Sequence, residues 1–244
     1  MAEVPGAACA ASGAASPRRP AVSRSAHADS SEILQISDEL AAIRDAFDLR
    51  APAYDESEMH RSLADAVASF AATSNVGTVL DVATGTGLVL RALREHLPDA
   101  RLIGVDISPG MLAVARESLP AAQFLEADAA ALPLPDAATD LITCVTALHL
   151  IPDIRGSVQE WQRTLAPGGR LVTATFLMPD DAPAPDEHRH GPSASRPYVR
   201  DHRPFRSVEA TAQTFSDLGF ALNRHVVWAD DVDTVLIAEL LPEA

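Results

Sequence analysis

The 244-residue sequence contains no lysine: all 19 basic side chains are arginine, set against 34 Asp and Glu for a formal charge of −15. That absence excludes lysine Schiff-base chemistry and the P-loop, whose lysine reaches the phosphates. The shortage of cations also argues against a general phosphate-binding surface, so no nucleic-acid partner is expected. Cysteine is nearly missing too, with Cys9 in a low-complexity leader and Cys144 inside an apolar run. This gives no paired spacing for zinc or a disulfide framework, so no metal site is assigned, and a reducing cytoplasm fits. Long hydrophobic runs are absent as well. The best candidate, 141-LITCVTALHLI-151, holds two threonines and a histidine and falls short of the ~18 apolar residues a membrane span requires. What remains is a chain that is 47% hydrophobic, enough for one sizeable core.

Residues 1–31 are mostly Ala, Ser, Pro and Arg, with too few large apolar side chains to offset the entropy of ordering, and are expected to form a disordered tail. An Arg- and Ser-rich leader is also compatible with a transit peptide, although the Ala and Arg bias of the whole chain accounts for it. From 32 to 49, Ile36, Leu40, Ile43 and Phe47 recur at helical spacing, and Leu63, Val67 and Phe70 do so over 57–74. Two N-terminal helices follow, separated near Pro52. Beyond residue 75, short apolar runs near 76–82, 101–105, 122–126, 139–146 and 170–177 alternate with helical segments near 87–97, 109–118 and 155–166. Strand alternating with helix predicts an α/β fold with a doubly wound, largely parallel sheet. Residues 178–207 are rich in Pro, Asp, Arg and His and lack any period, as a lid or binding loop would. A helix at 208–218 leads into strands at 220–229 and 233–241, close enough to pair antiparallel. The domain is expected to span 32–244, with 32–74 as a helical cap.

The turn 81-DVATGTG-87 places glycines where a strand passes into a helix. There the exposed N–H groups of the helix start and the missing side chains let a ligand approach the backbone. A dinucleotide fold would set a third glycine three positions after Gly87, where Leu90 stands, which counts against a nicotinamide cofactor. A tight turn without a ligand is the plain alternative. The second strand ends in Asp106, nineteen positions after Gly87, where a carboxylate can accept from both hydroxyls of a ribose or cap the helix at 109. The third ends at Asp128, placed for the exocyclic amine of an adenine or for a turn in solvent. The fourth ends at His149, which can act as a general base or simply pack.

Taken in order, VLDVATGTG, VDIS, EADAAALP, LHLIPD and LAPGGRLV resemble the motifs of the class I S-adenosylmethionine-dependent methyltransferases. The branch they are most similar to contains the ubiquinone/menaquinone and other small-molecule methyltransferases. Upstream, 47-FDLRAPAYD-55 resembles the family's FDxxAxxYD segment. The resemblance implies a Rossmann-like seven-stranded sheet with one antiparallel strand, S-adenosyl-L-methionine as cofactor and a small-molecule acceptor. It further implies that Tyr54 closes over the cofactor, Asp81 holds its amino-acid end, and Ala83, Gly85 and Gly87 admit its middle. Asp106 would take the ribose hydroxyls, Asp128 and Ala129 the adenine, and Ile107, Met111 and Thr146 would complete the contacts. Met59, His60, Tyr198 and Phe205 are candidates for the acceptor pocket, and His149 for its base. The arginines of 186–206 could receive a carboxylate or phosphate on the acceptor, or form a solvated loop of balanced charge. A nicotinamide-dependent oxidoreductase and a non-catalytic cofactor-binding protein are the competing readings.

Overall fold

In the computed structural model the described residues are 30–73, 75–178 and 198–243, with side chains described from 38 onward. Most of the expected N-terminal tail and of the expected lid lies outside them, and Ser30 and Ser31, expected in the tail, begin the first helix. Helix α1 (Ser30–Arg50) runs into a 3-10 helix (Ala51–Glu56) at Pro52, where the missing N–H and fixed φ of proline suit a tight helical start. Helix α2 (Glu58–Ala71) begins on the Ser57 hydroxyl, which accepts from the His60 N–H, and buries Leu63, Val67 and Ala71 on one face.

The alternating segment folds as β1 (Thr78–Val82), α3 (Leu88–His96), β2 (Arg101–Asp106), α4 (Pro109–Ser118), β3 (Gln123–Glu126), β4 (Thr139–Val145), α5 (Ile154–Thr164) and β5 (Leu165–Phe176). Helix α6 (Val208–Ser216) precedes β6 (Phe220–Ala229) and β7 (Thr234–Pro242). The seven strands form one sheet in the order β3-β2-β1-β4-β5-β7-β6. β7 lies between β5 and β6 and is antiparallel to both; the other pairings are parallel. The expected fold is therefore the observed one. Strand β5 departs from expectation in starting at Leu165, not 170. Its Pro-Gly-Gly segment is absorbed as an irregularity, because the register with β4 passes from Thr139–Leu165 directly to Leu141–Arg170.

One core cluster packs α2 and α3 against one face of the sheet, around Leu63, Val67, Leu90 and Leu93; a second, around Trp161, Phe205, Phe215 and Phe220, fills the other. Helices on both faces leave the C-terminal ends of the parallel strands as the open edge, with the order reversing between β1 and β4.

Candidate active site

The carboxyl ends of β1, β2 and β4 meet at one cleft. Ala83 follows β1 with φ 54° and Thr146 follows β4 with φ 53°, so both occupy the left-handed region, and both line the cleft. A β-branched threonine held there is strained, and such strain persists where a site over-determines it. The positive φ at Ala83 also explains why a glycine would suit that position. Gly85 is the open point of the turn: a Cβ built on it would meet only the Met111 sulfur, at 4.0 Å. The space a side chain would fill is thus left to a ligand.

Asp106 is held from below by the N–H groups of Gly85, at 2.8 Å, and Ser108, at 2.9 Å, one to each carboxylate oxygen. Each oxygen keeps a second lone pair, so the carboxylate can still accept from two hydroxyls. Burial pushes the Asp106 carboxyl up, opposed by the backbone donors of Ser108, Gly85 and Ile107. Asp128 accepts the Ala130 N–H at 3.0 Å and lines the same cleft with Ile107, Met111 and Ala129. Asp81 is only 1% exposed and receives the hydroxyls of Thr143, at 2.6 Å, and Thr84, at 2.7 Å. Burial dominates those two bonds and raises its carboxyl to about 6.

Three connected spaces make up the cleft. The first is bordered by Asp106, Met111, Asp128 and Ala129, the second by Asp81, Thr84, Gly85 and Thr86, and the third by Phe47, Met59, His60, His149 and Phe176. Tyr54 and Thr146 border all three and mark their junction. The Tyr54 phenol is buried, which raises its pKa against the opposing charge of Arg50 and a hydrogen bond with Thr146.

Every expected cofactor residue borders the cleft except Gly87. That glycine caps α3 with φ 79°, and an added Cβ would meet Ala115 and Phe124 in the packed layer behind the cleft. It shapes the turn without facing the ligand space. Of the expected acceptor residues, Met59 and His60 line the third space. Phe205 does not, because it is buried in the second core cluster against Phe215. Tyr198 packs near Phe47, with ring centroids 6.4 Å apart. His149 is buried, meets Phe176 edge-on and stacks on His202 at 4.2 Å between centroids. His202 is brought there by the Asp201 N–H, which donates to the His149 carbonyl. Arg189, Arg196, His188 and His190 lie outside the described residues. Among the described residues no cluster of His, Cys, Asp and Glu could hold a metal.

Two aspartates of 47-FDLRAPAYD-55 do work that the motif did not reveal. Asp48 accepts from the Ser108 hydroxyl and, at 2.8 Å, from the Gly110 N–H at the start of α4. Asp55 accepts from the Thr86 hydroxyl and pairs with Arg91 on α3. The segment between them is strapped across the cleft, tied to a helix on each side. The signal was available in the sequence as two carboxylates flanking the tyrosine, but their partners are non-local.

Residues 80–173 match the family model described as "Methyltransferase domain". The chain is 45% identical over 105 residues to the demethylmenaquinone methyltransferase of Thermus thermophilus, covering 41% of this chain and 48% of that protein. It is 37% identical over 148 residues to the demethylmenaquinone methyltransferase of Deinococcus radiodurans, covering 57% and 61%. The chain thus spans about half to three fifths of the length of these relatives. A solved chain from the complex between the Haloferax volcanii Trm112 methyltransferase activator and a methyltransferase superposes with a TM-score of 0.67. That match is at 24% identity and covers 82% of this chain and 97% of that one. The motifs, the strand order and the matched segment thus agree in their likeness to methyltransferases, and residues 80–173 resemble a methyltransferase domain.

Proposed function

We propose that the protein transfers a methyl group from S-adenosylmethionine to a small organic acceptor. The observation that carries this reading is the convergence of Asp81, Asp106 and Asp128 on one cleft that widens, past Tyr54 and Thr146, into a separate chamber. When bound, the cofactor supplies a methyl on a sulfonium, already activated for in-line displacement. The protein's task is then orientation and exclusion of water, with the reacting atoms about 3 Å apart.

Asp106 suits the ribose hydroxyls because its carboxylate is fixed by the Gly85 and Ser108 N–H groups and borders the cleft. Asp128 and Ala129 border the end of the cleft suited to the base. Asp81, with Thr84 and Gly85, offers a buried negative charge to the cationic amino-acid end. Tyr54, packed between Arg50 and His60, separates the cofactor spaces from the acceptor chamber. His149 borders that chamber, where its imidazole can receive a proton from a hydroxyl or amine acceptor. The relatives' names support a small-molecule acceptor. No helix among the described residues is long and apolar enough to cross a membrane, and a cytoplasmic setting belongs to the same reading.

Calorimetric titration with S-adenosylmethionine, S-adenosylhomocysteine and NADH tests this. Binding of the two sulfur nucleosides but not NADH is expected; binding of NADH alone, or of none, contradicts it.

A further inference from the structure

In a chain with a formal charge of −15, no Asp or Glu among the described residues lines the acceptor chamber, whereas Arg50 and Arg200 do. The Arg50 guanidinium lies over two ring faces, 4.9 Å from the Phe47 centroid and 5.5 Å from that of Tyr54. Ring faces hold a guanidinium in place without neutralising it, unlike a carboxylate partner. On the far side Arg200 stands 5.9 Å from the Tyr198 centroid, and Tyr198 itself packs near Phe47. The remaining walls set Phe47, Met59, Leu150 and Phe176 beside Ser57 and Thr146, with the His60 ring stacked on Tyr54 at 4.3 Å.

We infer that the acceptor is an anion with a flat, apolar body, its carboxylate or phosphate group directed to Arg50. This rests on the reading of the chamber as the acceptor site. An anionic group recovers its lost hydration through charge-assisted bonds to a planar fork of donors, whereas a neutral isostere leaves the guanidinium with no counter-charge. The aromatic and aliphatic walls take the body of the molecule, so the charge sets orientation and the walls supply area.

The test is equilibrium binding of matched pairs of aromatic carboxylic acids and their carboxamides, benzoate with benzamide among them, with and without saturating S-adenosylhomocysteine. Phenyl phosphate is included to separate phosphate from carboxylate. The acids are expected to bind about tenfold or more tightly than their amides in the wild type, the order of discrimination one charge-assisted contact supplies. In Arg50→Gln the preference should fall below about threefold, and in Arg50→Lys, which keeps the charge, most of it should return. A thermal melt within about 2 °C of wild type shows that each variant is folded. A preference of phenyl phosphate over benzoate assigns the group as phosphate, and the reverse assigns it as carboxylate. Amides binding as well as acids, no acid binding at all, or an undiminished preference in Arg50→Gln overturns the inference. Acid preference without S-adenosylhomocysteine binding would overturn the cofactor reading while leaving the anion site in place.

Discussion

Asp81 combines burial with two threonine hydroxyls and no cation, so its carboxyl sits at about 6, above the ordinary carboxylate range. In the absence of ligand the native state therefore binds a proton more tightly than the unfolded chain does. The sign follows: the stability this group allows is complete below about pH 4 and is lost as pH rises through about 6. Above that the penalty is on the order of 3 kcal/mol. Asp81→Asn keeps an acceptor for one hydroxyl and carries no charge. It should melt at least about 3 °C higher than wild type at pH 8, with about half that advantage at pH 5 and none near pH 4. Differential scanning calorimetry across that range checks it, and an advantage independent of pH would contradict the assignment. If Asp81 holds the amino-acid end as proposed, the same variant should bind S-adenosylmethionine at least about tenfold more weakly at pH 8, having lost that buried charge. At this scale the sequence disclosed the residues with strand-end positions, Asp81, Asp106 and Asp128. It did not disclose His202, which meets His149 only because a distant loop docks on the 148–150 turn. Phe205 misled because an aromatic in a loop reads alike whether it faces a pocket or the core.

Among the elements, the strap formed by the end of α1 and the 3-10 helix is the device that completes the cleft. Its anchor at Asp48 lies against Gly110, where an added Cβ would come within 2.9 Å of Asp48 Oδ1 and 3.2 Å of its Cα. Gly110 lies in the first turn of α4, so alanine there favours the helix by up to about 1 kcal/mol while pushing the strap away. Gly110→Ala should therefore leave the melting temperature within about 2 °C of wild type, yet weaken S-adenosylhomocysteine binding about tenfold. Titration beside a thermal melt separates the two effects, and unchanged affinity would show that the strap plays no part in binding. Elements were the most legible scale. Apolar runs and helical spacing located every strand and helix from β1 to β7 to within a few residues, because each buries one side against the sheet. The start of β5 escaped, since Pro167-Gly168-Gly169 is turn chemistry locally and becomes part of the strand only through pairing with β4.

At the scale of the whole molecule, the antiparallel edge is tied to the parallel body through Glu239. This carboxylate on β7 is 5% exposed and accepts from Arg224, at 2.8 and 3.0 Å, and from Asn223, at 2.7 Å, on β6. Arg170 on β5 completes the group at 3.2 Å. Removing the shared acceptor leaves the Arg170 and Arg224 guanidinium groups near each other without the carboxylate between them. Glu239→Ala should destabilise the fold by about 3 kcal/mol or more in urea unfolding; a loss under about 1 kcal/mol would show the cluster to be incidental. No local pattern announced this group, because its members come from three strands and meet only in the finished sheet. The doubly wound, largely parallel character of the sheet was legible from the alternation of elements, and with it the strand ends that border the cleft. The chamber proposed for the acceptor was legible only at Met59 and His60, since its walls come from α1, α2, β5 and the segment after residue 197. In the proposed function Asp106 fixes the ribose of S-adenosylmethionine at this edge. The most direct test is the affinity of S-adenosylhomocysteine for wild type and for Asp106→Ala, each shown to be folded by its thermal melt. The variant is expected to lose about tenfold or more in affinity. Equal affinity in the two proteins would contradict the proposal.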